Sequence, residues 1–306
     1  MHPRLRTSQQ NNFAGKKILK MKNNWSISNI PDLSGKTIIV TEGDSSLGYE
    51  TIKAFAKNGA QTIIACRENT MGEKIKAEIE KLHAKAIIVV MPLDLRDPKS
   101  IQQFGKDFNS TYERLDVLMN IGDSHTIPAG ENAKFFGKNY GNDHAGHFVL
   151  TSLLLNKLAT TPHSRVVNIS LGEHKLNEKD FNKLISPSGH SNAEKHKIGS
   201  SKWTNQLFTY ELQKLFDTNK VNCAAVSAYT GPANRNLERR LRNELSWRLF
   251  KPFFSMFSGP DSLESAMPAL KAAMAGNVKG GEYFGLNGLV DSTGYQSYNA
   301  VLHFVA

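Results

Sequence analysis

Residues 36–49 read KTIIVTEGDSSLGY. The run from Thr37 to Val40 is hydrophobic, with two isoleucines and a valine, and predicts a strand. It passes into a turn rich in Gly, Asp and Ser. A pattern that sets Ile52, Phe55 and Ala56 on one helix face follows. Strand, turn and helix in this order point N–H groups outward from the turn and the helix N-terminus, a natural cradle for a dinucleotide pyrophosphate.

The same rhythm continues outward from this unit. Strands are predicted at 61–66, 86–91, 115–120, 165–170, 221–227 and 282–284, with helical patterns between them. Leu150, Leu153, Leu154 and Leu158 recur at helical spacing, as do Phe208, Leu212 and Leu215. Strand runs that are apolar throughout imply burial on both faces, as in a parallel sheet covered by helices. The expected fold is therefore α/β, a doubly wound parallel sheet with helices on both faces and right-handed crossovers. Residues 25–306 are read as one domain behind a basic, disordered tail at 1–24. Two segments break the rhythm: a polar connection at 171–197 and a basic, aromatic insertion at about 232–260. Long connections of this kind are often lids over the crevice at the carboxyl ends of the strands.

The net charge is +10, but residues 1–31 hold six bases and no acid, leaving 32 bases against 28 acids in the rest. The folded part is thus near balance, which argues against a nucleic-acid partner. The tail suits a transit peptide, an arm for anionic surfaces, or an extension ahead of Met21. Cys66 and Cys223 both fall in predicted buried strands, so a reducing compartment and no disulfide are expected. No apolar run reaches transmembrane length, and a soluble, cytoplasmic protein is expected, with organelle targeting or membrane-surface contact by the tail left open.

Several segments carry a family likeness: IPDLSGKTIIVT, ACRENTMGEKIKAEI, LDLRDPKSIQQF, LDVLMN, HAGHFVLTSLLL, SRVVNIS, GSSKWTNQLFTYEL and KGGEYFG. From Trp25 to about Tyr295 the chain resembles the short-chain dehydrogenase/reductase family, in its retinol dehydrogenase-like and WW-domain-containing oxidoreductase-like group. That resemblance implies a Rossmann-type single domain and a nicotinamide dinucleotide, NADP, as cofactor. The family's turn has three glycines, whose positions here are Glu42, Ser46 and Gly48. Gly43, one residue on, offers a place where the turn could re-form. Arg67 matches the basic residue that takes the 2′-phosphate of NADP, since a guanidinium fork suits a phosphate. Asp94 matches the carboxylate that faces the adenine. The implied cofactor set is Ser45, Ser46, Leu47, Gly48, Arg67, Asp94, Asn120 and Lys202.

For catalysis the resemblance implies an asparagine, a serine, a tyrosine and a lysine. The tyrosine transfers the proton, the serine holds the substrate oxygen, and the lysine binds the ribose and lowers the tyrosine pKa. Their positions fall on Asp143, Leu171, Ile198 and Lys202, of which only Lys202 is kept. Ser170, His174, His196 and Ser201 lie close by in sequence, but strand and helix periods aim neighbours elsewhere. Ile121, Gly122 and Asp123 after Asn120, Thr230 before Gly231, and Arg235 also depart from the group's pattern. Asp143, His144 and His147 have a spacing that could hold a metal. The group has histidines in this helix, so structural histidines and no metal are expected. Arg239, Arg240, Arg242, Arg248 and Lys251 interleave with Leu241, Leu245, Trp247, Leu249, Phe250, Phe253 and Phe254, as in a substrate lid or a surface dock.

The leading expectation is a fold kept after hydride transfer was lost, acting by binding a hydrophobic small molecule or an acidic protein partner. The alternative is an NADP-dependent oxidoreductase acting on a hydrophobic alcohol or carbonyl. A basic membrane-surface or nucleic-acid binder, resting on charge alone, is a second alternative. The group often pairs through the two long helices beside the active site, so a homo-oligomer is also open.

Overall fold

The computed structural model describes residues 25–122, 144–170, 194–229, 262–285 and 290–291; the side chains of 194–203, 262, 290 and 291 lie outside that description. The basic tail at 1–24 and the basic insertion at 232–260 therefore fall outside it, as does the polar connection up to residue 193, where a helix begins at Glu194.

After a 3-10 turn at Ile27–Asn29, strands and helices alternate: β1 (Thr37–Thr41), α1 (Ser46–Lys57), β2 (Gln61–Cys66), α2 (Asn69–Leu82), β3 (Ile87–Pro92), α3 (Pro98–Thr111) and β4 (Val117–Asn120). Then come α4 (Gly146–Thr160), β5 (Ser164–Ser170), α5 (Glu194–Thr218), β6 (Cys223–Tyr229), α6 (Ser262–Met274), β7 (Tyr283–Phe284) and β8 (Val290–Asp291). The sheet order is β3-β2-β1-β4-β5-β6-β7-β8. Strands β1 to β7 pair in parallel, which the buried apolar runs predicted, and the chain reverses direction across the sheet between β1 and β4.

Alternating side chains split the core into two layers. Ile38, Val40, Ile64 and Met119 pack on one face with Ile52 and Phe55 of α1 and Leu270 of α6. Ile39, Ile63 and Leu118 pack on the other with Phe104 and Phe108 of α3, Leu150 and Leu154 of α4, and Phe216 of α5. The period of two along each strand produces this division, and the central strands β1, β4 and β5 are buried on both faces.

Four expectations are corrected. The sheet has an eighth strand, β8, antiparallel to β7 through Phe284 and Val290, which a two-residue strand cannot announce in sequence. Strand β3 is only partly buried, because it lies at the sheet edge and Ile87 at its start is exposed. Leu215 is 45% exposed although Leu212 beside it is buried, so the apolar stripe of α5 is narrower than its leucines suggest. Leu115 and Asp116 stand ahead of β4. The Asp116 carboxylate accepts the Thr37 N–H (3.0 Å), takes both arms of Arg114 (2.8 and 2.7 Å) and pairs with Lys36 (2.9 Å). It ties the start of β1 to the approach to β4.

Candidate functional site

The crevice lies beyond the carboxyl ends of the parallel strands, where the direction of strand addition reverses. Thr41, Ala65 and Met91 are in register across β1, β2 and β3, so the residues that follow each strand come together: Glu42, Arg67 and Asp94.

Glu42 has φ 46, in the left-handed region that glycine favours. The backbone of the β1–α1 turn thus keeps the conformation of a glycine while carrying a glutamate, at a strain of about 1–2 kcal/mol. The turn does not re-form at Gly43. That residue is buried, and an added Cβ would sit 2.8 Å from both Ile52 and Ile64. Gly48 is fixed by close approach: a Cβ there would lie 2.5 Å from the Glu42 carbonyl oxygen and 2.7 Å from Gly43 Cα. Helix α1 can pack onto its own turn only without that carbon. Ser45 caps the helix, its Oγ accepting the Gly48 N–H at 3.0 Å. Ser46 is half-buried and Leu47 buried, so Leu47 belongs to the core beneath the turn.

Arg67 follows β2 directly and is exposed, with one long contact of 3.4 Å to Glu68. Asp94, past the end of β3, is already engaged. Arg96 donates Nε to Oδ1 (2.9 Å) and Nη2 to Oδ2 (2.7 Å), and the Arg96 backbone N–H reaches Oδ1 at 3.0 Å. Burial by itself would raise the Asp94 pKa, but the hydrogen bonds and charge of Arg96 outweigh it and hold the carboxyl below its ordinary value. Arg96 in turn is held above its ordinary value, first by Asp94 and further by the charge of Glu42. Sequence reasoning missed Arg96; an arginine two residues after an aspartate, ahead of the helix-starting Pro98, was the available signal.

The opposite wall is a buried polar ladder. Asn120, at the end of β4, donates to Asn168 of β5 (2.8 Å) and to Thr151 of α4 (3.2 Å). Asn168 donates to Thr209 of α5 (2.9 Å), and Asn205 donates to the Ile169 carbonyl at 3.2 Å. Thr41 accepts the Ile121 N–H (2.8 Å) and bonds His147 at 2.9 Å, while His144 donates to Asn205 at 2.9 Å. Burial pushes the His144 imidazole below its ordinary pKa, against the bond to Asn205. His147 thus fastens α4 to β1, and His144, just ahead of α4, is tied to α5. Among the described residues no group of three His, Cys, Asp or Glu could hold a metal. Asn205 and Thr209, four apart and both buried on α5, were the unread sign of this ladder.

Of the positions that the resemblance makes catalytic, Asp143 and Leu171 lie outside the described residues, as does His174. Ile198 and Lys202 fall within α5, but their side chains lie outside the description, as do those of His196 and Ser201. Positions 198, 202, 205 and 209 recur on one face of that helix. Ser170 is buried at the end of β5.

A nicotinamide dinucleotide meets a mixed reception here. The glycine-like path of the turn, the close approach at Gly48 and the exposed Arg67 suit its phosphates, while Glu42 and the engaged Asp94 work against it.

Fold and crevice together define a Rossmann-type α/β protein with its crevice at the carboxyl ends of the parallel strands. The short chain dehydrogenase family profile matches residues 36–177. The chain is 33% identical to retinol dehydrogenase 12 of Mus musculus over 258 residues, covering 82% of this chain and 78% of that protein. It is 34% identical to mouse retinol dehydrogenase 11, covering 84% and 79%. A solved Pseudomonas aeruginosa structure, RhlG in an active-site complex with NADP, superimposes with a TM-score of 0.61 at 18% identity, covering 85% and 97%. The chain belongs to the short-chain dehydrogenase/reductase family, in the retinol dehydrogenase-like group. Among the described residues, no helix is long and apolar enough to cross a membrane.

Proposed function

We propose that this chain is a retinol dehydrogenase-like protein that binds a ligand in its strand-end crevice and no longer carries out hydride transfer by the family's proton path. The observation that carries this reading is the register of α5. Asn205 and Thr209 pin the helix to β5 through the Ile169 carbonyl and Asn168, on the helix face that positions 198 and 202 share. An isoleucine stands at position 198, four residues before Lys202. Isoleucine has no proton to transfer, and Leu171 has no donor for a substrate oxygen. Losing a general acid typically lowers a rate by about 10²–10⁴ and losing an oxygen-stabilising donor by about 10²–10³, with effects that need not multiply.

The ligand class is a phosphorylated dinucleotide of the NADP type, held at the turn and by Arg67, or a hydrophobic small molecule beside it. A bound nicotinamide would supply a hydride; this chain's residues would supply only position. The test is NADPH consumption with retinal and with long-chain aldehydes. The wild-type protein is expected to give none, and Ile198→Tyr combined with Leu171→Ser to give measurable turnover. Turnover by the wild-type protein that Lys202→Ala abolishes would overturn the reading.

A second reading is an active NADP-dependent oxidoreductase working on a hydrophobic alcohol or carbonyl. It is favoured by identities of 33% and 34% to two retinol dehydrogenases along most of the chain. The same turnover assay separates the two.

A further inference from the structure

The residue least expected in the crevice is Arg96. By the family resemblance, a dinucleotide held at the N-terminus of α1 would reach across the strand order β1, β2, β3, past Arg67 after β2 toward Asp94 after β3. Asp94 is the carboxylate at that last position. An ionised carboxylate offers about four lone-pair sites, and Arg96 fills three of them with its backbone N–H, Nε and Nη2. The two side chains are only 20% and 22% exposed, and the contact is a two-armed, charge-assisted pair. One site, on Oδ2, is left beside the fork, and a neutral amino group on a base cannot displace the guanidinium from the other three. The Asp94 backbone N–H is also taken, by Ser100 Oγ at 2.9 Å.

We propose that Arg96, by occupying Asp94, makes this crevice indifferent to the base of its nucleotide and leaves recognition to the ribose and phosphates beside Arg67. This inference rests on the ligand-binding reading above. It makes Arg96 a specificity-determining residue: with the fork gone, Asp94 regains acceptors for an exocyclic amino group.

The test compares calorimetric affinities for NADPH and for its hypoxanthine analogue, in which a carbonyl replaces the 6-amino group. Wild-type protein and a Glu42→Gly variant, which removes a negative charge from the turn, are expected to bind the two within about threefold of each other. Arg96→Met, which keeps the aliphatic stem, and Arg96→Ala are expected to favour NADPH by about tenfold, the worth of one hydrogen bond to a charged acceptor. Melting curves show whether each variant is folded. A tenfold preference for NADPH with Arg96 present, or equal binding in both folded Arg96 variants, overturns the proposal while leaving ligand binding intact. No binding of either compound by any folded variant overturns the ligand-binding reading, and the proposal with it.

Discussion

Replacing Gly48 with alanine adds one carbon where three backbone atoms leave no room. The new Cβ would stand 2.5 Å from the Glu42 carbonyl oxygen, 2.7 Å from Gly43 Cα and 2.9 Å from Gly43 C. All three are main-chain atoms of the turn joining β1 to α1, so no side chain can swing aside. Ordinary contact requires α1 or the turn to move by about 1 Å. The helix is held by Ile52 and Phe55, both fully buried, and the turn by the buried Gly43. Overpacking of this kind costs about 1–3 kcal/mol, and contact with backbone atoms places it at the upper end. Alanine gains about 1 kcal/mol over glycine in helix propensity, so the net loss is about 2 kcal/mol. At roughly 2–4 °C per kcal/mol, Tm should fall by about 4–8 °C. Gly276→Ala is the control, since an added Cβ there meets nothing within 4 Å. It should leave Tm level or raise it slightly, because alanine restricts the unfolded chain. Thermal unfolding of both variants decides the matter. If Gly48→Ala melts with the control, the close packing of helix on turn is not what fixes that glycine.

Two further outcomes follow from buried groups. Asp116→Asn should lose about 2–3 kcal/mol at pH 7, because Arg114 and Lys36 lose a charged partner. Burial alone would raise the Asp116 pKa, but Arg114, the Thr37 N–H and Lys36 outweigh it and hold it below the ordinary value. The stability this carboxylate contributes is therefore present above about pH 4 and lost as pH falls through its folded value. The difference between variant and wild type should shrink below about pH 4, and a difference that stays constant under acid denaturation would contradict the assignment. Burial raises the Cys66 thiol to about 12 and the Cys223 thiol to about 11. Neither should react with a thiol reagent at pH 8 in the native protein, and both should react in guanidinium; rapid native labelling would show that these strands open.

How much of this was legible in the sequence differs from element to element. The strands β1, β2 and β5 could be read almost to the residue, because their apolar runs are bounded by turn residues and both faces are buried. Strand β3 has the same kind of run but lies at an edge, and an edge is a property of sheet order that no local pattern carries. Strand β8 is two residues long and exists only because β7 offers it a partner. Ile198 and Leu171 could be read as residue types, but Leu171 and the Ile198 side chain lie outside the described residues. The conformation of Glu42 could not be read. A glutamate after a strand gives no sign of φ 46, and the nearby Gly43 pointed to a turn displaced by one residue.

The polar ladder and the Arg96 pair escaped reading for a related reason: their meaning lies in partners far apart in sequence. Asn168 in an apolar strand looks like a defect until Asn120 and Thr209 are placed beside it, at 2.8 and 2.9 Å. Once placed, these residues tie α5 to β5 through Asn168 and the Ile169 carbonyl. Arg96 and Asp94 lie two residues apart, yet their importance comes from the strand order, which carries Glu42 and Arg67 to the same edge of the crevice. The core that holds this scaffold is intact on both faces of the sheet, from Ile38 and Phe55 to Phe104 and Phe216. The departures from the family pattern that the sequence carries fall elsewhere, at Glu42 after β1, at Leu171 and at Ile198 within α5. An intact core beneath an altered crevice is compatible with the proposed binding role, and the turnover assay with NADPH decides between that role and hydride transfer.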